Sequence, residues 1–198
     1  MKIVIVGATG TLGSKITADL EKDHEVIKVG TKTGDLQADI TDPESIKIMF
    51  EKVGSFDALV CAAGGGHFGP LNSMTTEEFL KGVNSKMMGQ INLVLLGQHY
   101  INPKGSFTLI TGVLSDDPVR NSVNLATVNS AVNGFVKAAA LELENGVRIN
   151  AVSPGVVEDS PELFEAFPGH KPVSMERVVF AYRKSVLGHV TGQIIKEV

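Results

Sequence analysis

Short runs of β-branched and aliphatic residues alternate with longer segments of helical period along the whole chain. The first run, Ile3-Val4-Ile5-Val6, is apolar at consecutive positions, the pattern of a strand buried on both faces. Similar runs predict strands over Lys2–Val6, Glu25–Val29, Leu36–Ala38, Ala58–Cys61, Ser106–Ile110, Val147–Val152 and Gln193–Glu197. Between them the period lengthens, predicting helices over Thr11–Lys22, Pro43–Val53, Glu77–Tyr100, Val119–Glu144 and Ser174–Leu187. Asp42-Pro43-Glu44 opens the second of these with a capping side chain, a proline at the first helical position and an acid in the first turn. Strands alternating with helices predict an α/β fold, a mainly parallel sheet of about seven strands with helices on both faces.

Composition narrows this picture. The chain has 198 residues of which 43% are hydrophobic, enough for one core and too few for two ordinary domains, so residues 1–198 are expected to form a single domain. A net charge of −4 with scattered basic residues gives no electrostatic footprint for nucleic acid. The sequence has no apolar run of membrane-spanning length, and its start enters directly into a strand, so a protein that is neither exported nor membrane-bound is expected. Cys61 stands alone, which leaves no internal disulfide and no visible metal site and fits a reducing cytoplasm. Pro161, Pro168, Gly169 and Pro172 crowd the stretch Asp159–Pro172, which is expected to form a loop or lid.

Chemistry enters with Gly7-x-x-Gly10-x-x-Gly13, placed where the first strand passes into the first helix. Gly7 permits a tight turn, Gly10 lets backbone approach a pyrophosphate, and Gly13 lets the helix pack against the sheet. The helix start at Thr11 and Leu12 turns free N–H groups toward the phosphates, and Thr9 is a further phosphate contact. The plain alternative is a glycine-rich turn with no ligand. With strand and helix on either side, the pattern predicts a Rossmann-type doubly wound three-layer α/β/α sandwich that binds a dinucleotide. The second strand ends Val29-Gly30-Thr31-Lys32, without the acid that would accept from a ribose 2′-hydroxyl. Thr31 and Lys32 suit a 2′-phosphate instead, and a charge-assisted hydrogen bond of about 1.5–3 kcal/mol would favour NADP over NAD at least roughly tenfold. Two alternatives remain, a solvated Lys32 and an Asp35 that reaches the ribose.

These residues together resemble the short-chain dehydrogenase/reductase family, and the likeness runs through nearly the whole chain. Asp39-Ile40 is similar to the family's adenine-contacting pair. Cys61-Ala62-Ala63-Gly64 resembles the Asn-Asn-Ala-Gly segment that backs the cofactor. Gly82-Val83-Asn84 resembles the stretch carrying the helix-borne Asn, which in the family holds a water near the catalytic lysine. Val147 through Val157, with Ser153-Pro154-Gly155-Val156 within it, is similar to the strand and turn beside the nicotinamide. The resemblance implies an oxidoreductase that binds NADP and a small-molecule substrate. It also implies a homodimer or homotetramer paired through the helices Glu77–Tyr100 and Val119–Glu144. Burial of those faces within one subunit is the alternative.

The same resemblance exposes a gap. The family's Tyr supplies a proton, its Lys lowers the Tyr pKa, and its Ser polarises the carbonyl. Aligned through Ala131–Phe135 and Ala138–Leu143, this chain has Leu125 at the Tyr position, Asn129 at the Lys position and Gly112, beside Thr111, at the Ser position. A missing general acid costs about 10²–10⁴-fold. His67, in the loop after the fourth strand, is the substitute the sequence offers; the alternative is an ordinary loop histidine. Asn84, Thr111 and His67 are therefore the candidate catalytic residues, and Asn129 a candidate contact to cofactor or water. Two readings stand: an NADP-dependent oxidoreductase with an altered site acting on a small carbonyl, alcohol or activated alkene, and a non-catalytic NADP-binding protein.

Overall fold

Side chains of the first strand are divided between two cores. Ile3 and Ile5 point to one side, Val4 and Val6 to the other, and none is more than 2% exposed. The computed structural model describes residues 1–198. Its single sheet contains seven strands: β1 (Lys2–Val6), β2 (Glu25–Gly30), β3 (Leu36–Gln37), β4 (Phe56–Cys61), β5 (Ile101–Ile110), β6 (Arg148–Pro154) and β7 (Ile194–Glu197). They run parallel throughout in the order β3-β2-β1-β4-β5-β6-β7. The order reverses between β1 and β4, and ligands of doubly wound sheets bind outside the carboxyl ends of the strands at that point.

Helices α1 (Thr11–Leu20) and α6 (Met175–Leu187) cover one face, burying Ile16, Leu20, Val178 and Tyr182 against Ile3, Ile5 and Val60. Helices α2 (Pro43–Val53), α3 (Thr76–Gly82), α4 (Gln90–Gly97) and α5 (Val123–Glu142) belong to the other. There Phe50 stacks on Phe56 and Tyr100, and Val132 and Val136 join Leu59, Phe107 and Leu109. Asp42 Oδ1 accepts from the Glu44 N–H at 3.0 Å, the cap its sequence predicts.

Three elements depart most from the sequence reading, the others by no more than two residues at their ends. The helix expected over Glu77–Tyr100 opens one residue earlier, on a capping box between Thr75 and Glu78, and changes winding midway: Val83–Gly89 is π-helical, joining α3 to α4. Helix α5 starts at Val123 because Asn121, at φ 69°, turns the chain out of helical geometry just before it. Strand β5 starts at Ile101, which pairs with Phe56 ahead of a register shift between Phe56 and Ala58. Residues 31–35 link β2 to β3 without a helix, and Asp35 closes that turn through both its N–H to Lys28 O and its carboxylate to Lys28 N, each 2.8 Å.

Candidate cofactor and substrate cleft

Sterics dictate the glycine loop. Gly7 sits at φ +84°, and a Cβ there would lie 2.8 Å from Ala62 O; a Cβ on Gly13 would run into Gly7 O. Beside Gly10 the one atom that a Cβ would meet is Gly7 O at 3.4 Å, an ordinary contact, so this position is far less crowded than Gly7 or Gly13. No side chain caps α1, which leaves its first N–H groups to a ligand. Next to the loop, a cavity of about 150 Å³ is lined by Gly7, Thr31, Asp39, Ile40, Ala63, Gly64 and others. Asp39 is fixed there by Thr41, whose N–H and hydroxyl donate to its Oδ1 at 2.9 and 2.7 Å and hold the carboxyl below the usual carboxylate range. Lys32 is exposed and follows the cavity-lining Thr31 without lining the cavity itself, its backbone held by Gln37 Nε2 at 2.9 Å from Lys32 O; Thr33 Oγ1 meets Thr9 Oγ1 at 3.3 Å. Asp35 spends its carboxylate on the Lys28 N–H.

A second cavity, about 300 Å³, opens on the other side of the loop. It is lined by Thr11, Leu12, Pro154, Gly155 and Val156, by Thr111, Gly112, Leu125 and Asn129, and by Leu163 and Phe167. Leu163 and Phe167 belong to the stretch expected as a loop or lid, which folds into a short 3₁₀ turn over Pro161–Ala166. The structure thus brings Thr111, Asn129 and the Pro154-Gly155-Val156 turn together, with Leu125 and Gly112 beside them. Gly112 stands at an extended φ of 169°, and a Cβ there would find Asn129 Nδ2 at 3.4 Å and Pro154 O at 3.6 Å.

Two expected residues lie elsewhere. Asn84 is exposed and lines neither cavity, because the buried face of its helix runs through Gly82, Lys86, Gly89, Gln90 and Leu93. His67 also lines neither. Its backbone N–H donates to Asn124 Oδ1 at 2.9 Å, and its Nε2 lies 3.9 Å from Glu78 Oε1. Asn124 in turn donates to Phe79 O at 2.7 Å, so the loop after β4 is stapled to α3 and the imidazole stays with it.

The residue that sequence reasoning missed is Lys86. It lines the second cavity and is 8% exposed, with Nζ 3.5 Å from Thr111 O. Burial depresses its pKa from 10.5 to about 8. Burial also pushes the neighbouring Cys61 thiol up to about 11, so at neutral pH Cys61 brings no negative charge to the ammonium. Gln90 ties this helix to the sheet end, exchanging hydrogen bonds with both backbone groups of Ile110 at 2.8 and 2.9 Å and donating to Lys86 O at 2.7 Å. The available signal was a lysine four residues from both Gly82 and Gln90 on the buried stripe of a helix. Thr111 Oγ1, Asn129 Oδ1 and Ser153 Oγ are buried and have no hydrogen-bond partner. Polar atoms left unpaired beside a cavity suit a polar ligand, and with the open glycine loop they fit a dinucleotide and its substrate.

The fold and this pair of cavities define a nucleotide-binding protein of the short-chain dehydrogenase/reductase family. The chain belongs to it: the family model described as enoyl-(acyl carrier protein) reductase matches residues 6–176. A sepiapterin reductase of Chlorobaculum tepidum is 31% identical over 154 residues, covering 74% of this chain and 63% of that protein. The chain spans about half to two thirds of the length of the curated relatives it matches. Among solved structures, the protein lin1944 of Listeria innocua is 47% identical with a TM-score of 0.97, covering 99% of this chain and 98% of that one. A small-chain dehydrogenase in complex with NADPH is 26% identical with a TM-score of 0.88, covering 99% and 95%. No group of three or more His, Cys, Asp or Glu is placed to hold a metal ion, and no helix is long and apolar enough to cross a membrane.

Proposed function

We propose that the protein is an NADPH-dependent oxidoreductase acting on a small carbonyl compound, its alcohol or an activated alkene. One observation carries the reading: the cavity lined by Thr111 and Asn129 opens directly onto the start of α1 and the Pro154-Gly155-Val156 turn. Gly7, Thr9, Gly10, Thr11, Leu12 and Gly13 take the pyrophosphate, with Asp39, Ile40, Ala62, Ala63 and Gly64 on the adenine side. Asn129, Pro154, Gly155 and Val156 take the nicotinamide side. Thr31 and Lys32 receive the 2′-phosphate, a preference supported by the absence of an acid at the end of β2 and by the engagement of Asp35 within its own turn. Bound NADPH supplies a hydride; the chain's task is to orient the acceptor, exclude water and control the proton. Leu163 and Phe167 give the acceptor an apolar wall, and the Thr111 hydroxyl, without a partner, is free to bond its oxygen.

The site is altered in this reading: an apolar Leu125 stands where the family places its proton donor, and the cleft must draw protons from elsewhere. Leu125 also supports a second reading, a protein that binds NADPH without turning it over. Incubation with NADPH and a panel of aldehydes, ketones and enones separates the two. Consumption of NADPH with any of them supports the oxidoreductase; tight binding with none consumed contradicts it. A homodimer or homotetramer, formed through the apolar groove between Val94, Leu95, Phe135, Ala138 and Leu143, and a cytoplasmic location, in keeping with one buried free thiol, complete the proposal.

A further inference from the structure

Lys86 is buried at the middle of the π-helical turn, on a helix face shared with Gly82, Gly89, Gln90 and Leu93. A π-helical turn of this kind is uncommon and concentrates at functional sites. The side chain reaches the cleft by passing the end of β4, where Gly64 makes room: a Cβ on Gly64 would lie 3.1 Å from Lys86 Cα and 3.5 Å from its Cδ. An ammonium carries three donors, and this one has a single long contact, 3.5 Å to Thr111 O. The elements packed around it bring no neutralising charge. β4 presents Cys61, held as a thiol. α5 presents Leu125 and Asn129, and the end of β5 presents Thr111 and Gly112, none of which titrates. An uncompensated buried cation is retained at a cost in stability, which calls for a use.

We propose that Lys86 is the proton donor of the cleft, delivering a proton from Nζ to the substrate oxygen. The inference rests on the reductase reading above. Of the residues lining the substrate cavity Lys86 alone is ionisable, and neither the Thr111 hydroxyl nor the Asn129 amide is an acid at neutral pH. As the carbonyl carbon gains a hydride from the reduced nicotinamide, the π electron pair moves to oxygen and that oxygen takes the proton from Nζ. The C=O group becomes CH–OH, the nicotinamide is left oxidised, and the neutral amine is reprotonated from water. A group titrating near 8 holds its proton at pH 7 and releases it readily, the range in which a general acid works best. Lys86 and Asn129 then stand on opposite helices as an exchanged pair, the cation on the helix where the family resemblance places an amide and the amide where it places the cation.

The test compares wild type with Lys86→Met and Lys86→Arg, using 4-nitrobenzaldehyde and the carbonyl panel, with NADPH oxidation followed at 340 nm from pH 6 to 10. Wild type is expected to lose rate about tenfold per pH unit above roughly 8. Lys86→Met is expected to fall about 10²–10⁴-fold with NADPH affinity within threefold of wild type, and Lys86→Arg to lose the alkaline limb near 8. A readout independent of turnover is the NMR resonance of the Lys86 Cε in protein labelled at lysine and bound to NADP⁺: it should titrate near pH 8 and shift when 4-nitrobenzyl alcohol is added. Wild-type turnover that Lys86→Met leaves unchanged, or a Cε signal indifferent to the alcohol, overturns the role of Lys86 alone. A Lys86→Met variant that no longer binds NADPH also overturns it, since Lys86 would then serve the cofactor. No NADPH consumption by wild type overturns the reductase reading itself, and the donor role with it.

Discussion

Replacing Lys86 by Met removes a charge and keeps the length of the side chain, so it isolates what the buried ammonium costs. In the folded protein the pKa lies near 8, against 10.5 for an ordinary lysine. At about 1.4 kcal/mol per pH unit this displacement amounts to roughly 3 kcal/mol of folding free energy lost to burying the charged form. The direction follows from proton counts. Between pH 8 and 10.5 the unfolded chain holds a proton that the folded chain does not, so wild-type stability gains from this group as pH rises through that window. Below pH 8 both states are protonated and the penalty is paid in full. Lys86→Met is therefore expected to be more stable than wild type by roughly 3 kcal/mol at pH 7, and by less than about 1 kcal/mol at pH 10. For a domain of this size the gain at pH 7 corresponds to a rise in Tm of about 6–12 °C. Urea unfolding at both pH values, with equal m-values, measures the two gaps. A variant less stable than wild type at pH 7, or a gap that does not shrink toward pH 10, refutes the reasoning, because Lys86 would then be satisfied by contacts that the structure does not contain.

Three further predictions follow from the cleft and its surroundings. Gly13→Ala drives a methyl group into Gly7 O, so it should reduce NADPH affinity more than about 100-fold in calorimetry and lower stability by about 1–3 kcal/mol; retention of wild-type affinity would show that the loop does not hold the phosphates. Lys32→Ala should weaken NADPH binding about 10- to 150-fold, the equivalent of about 1.5–3 kcal/mol for a charge-assisted contact, and leave NADH binding unchanged; an equal loss for both nucleotides would remove Lys32 from the 2′-phosphate. Ala138→Arg places a charge in the groove between Leu95 and Phe135, and light scattering should show the mass falling to that of one chain; an oligomer of unchanged mass would place the interface elsewhere.

Local physics made the frame legible. Consecutive apolar residues in β1, the three glycines after it and the Asp42-Pro43 helix start are each decided within a few residues, and each stands where the sequence places it. The turn at Pro154-Gly155 and the small residues Ala62, Ala63 and Gly64 are legible for the same reason: both close strands whose ends meet the cavities. Helix rotation was not legible. Which residue of the segment 76–97 enters the cleft depends on the π-helical turn and on Gln90 seizing the backbone of Ile110, long-range facts that no local pattern announces. Asn84, which the resemblance implies for the site, lies two positions out of phase with the buried stripe that carries Lys86. The position of His67 is not legible for a related reason: the loop after β4 is held by Asn124, 57 residues further along the chain.

Cofactor binding is tested most directly by titration calorimetry with NADPH and NADH on the purified protein. A single site is expected that binds NADPH at least about tenfold more tightly than NADH, the margin expected from a charge-assisted contact to the 2′-phosphate. Equal affinity would contradict the role given to Thr31 and Lys32, and heat from neither nucleotide would contradict the reading of the glycine loop and of both cavities.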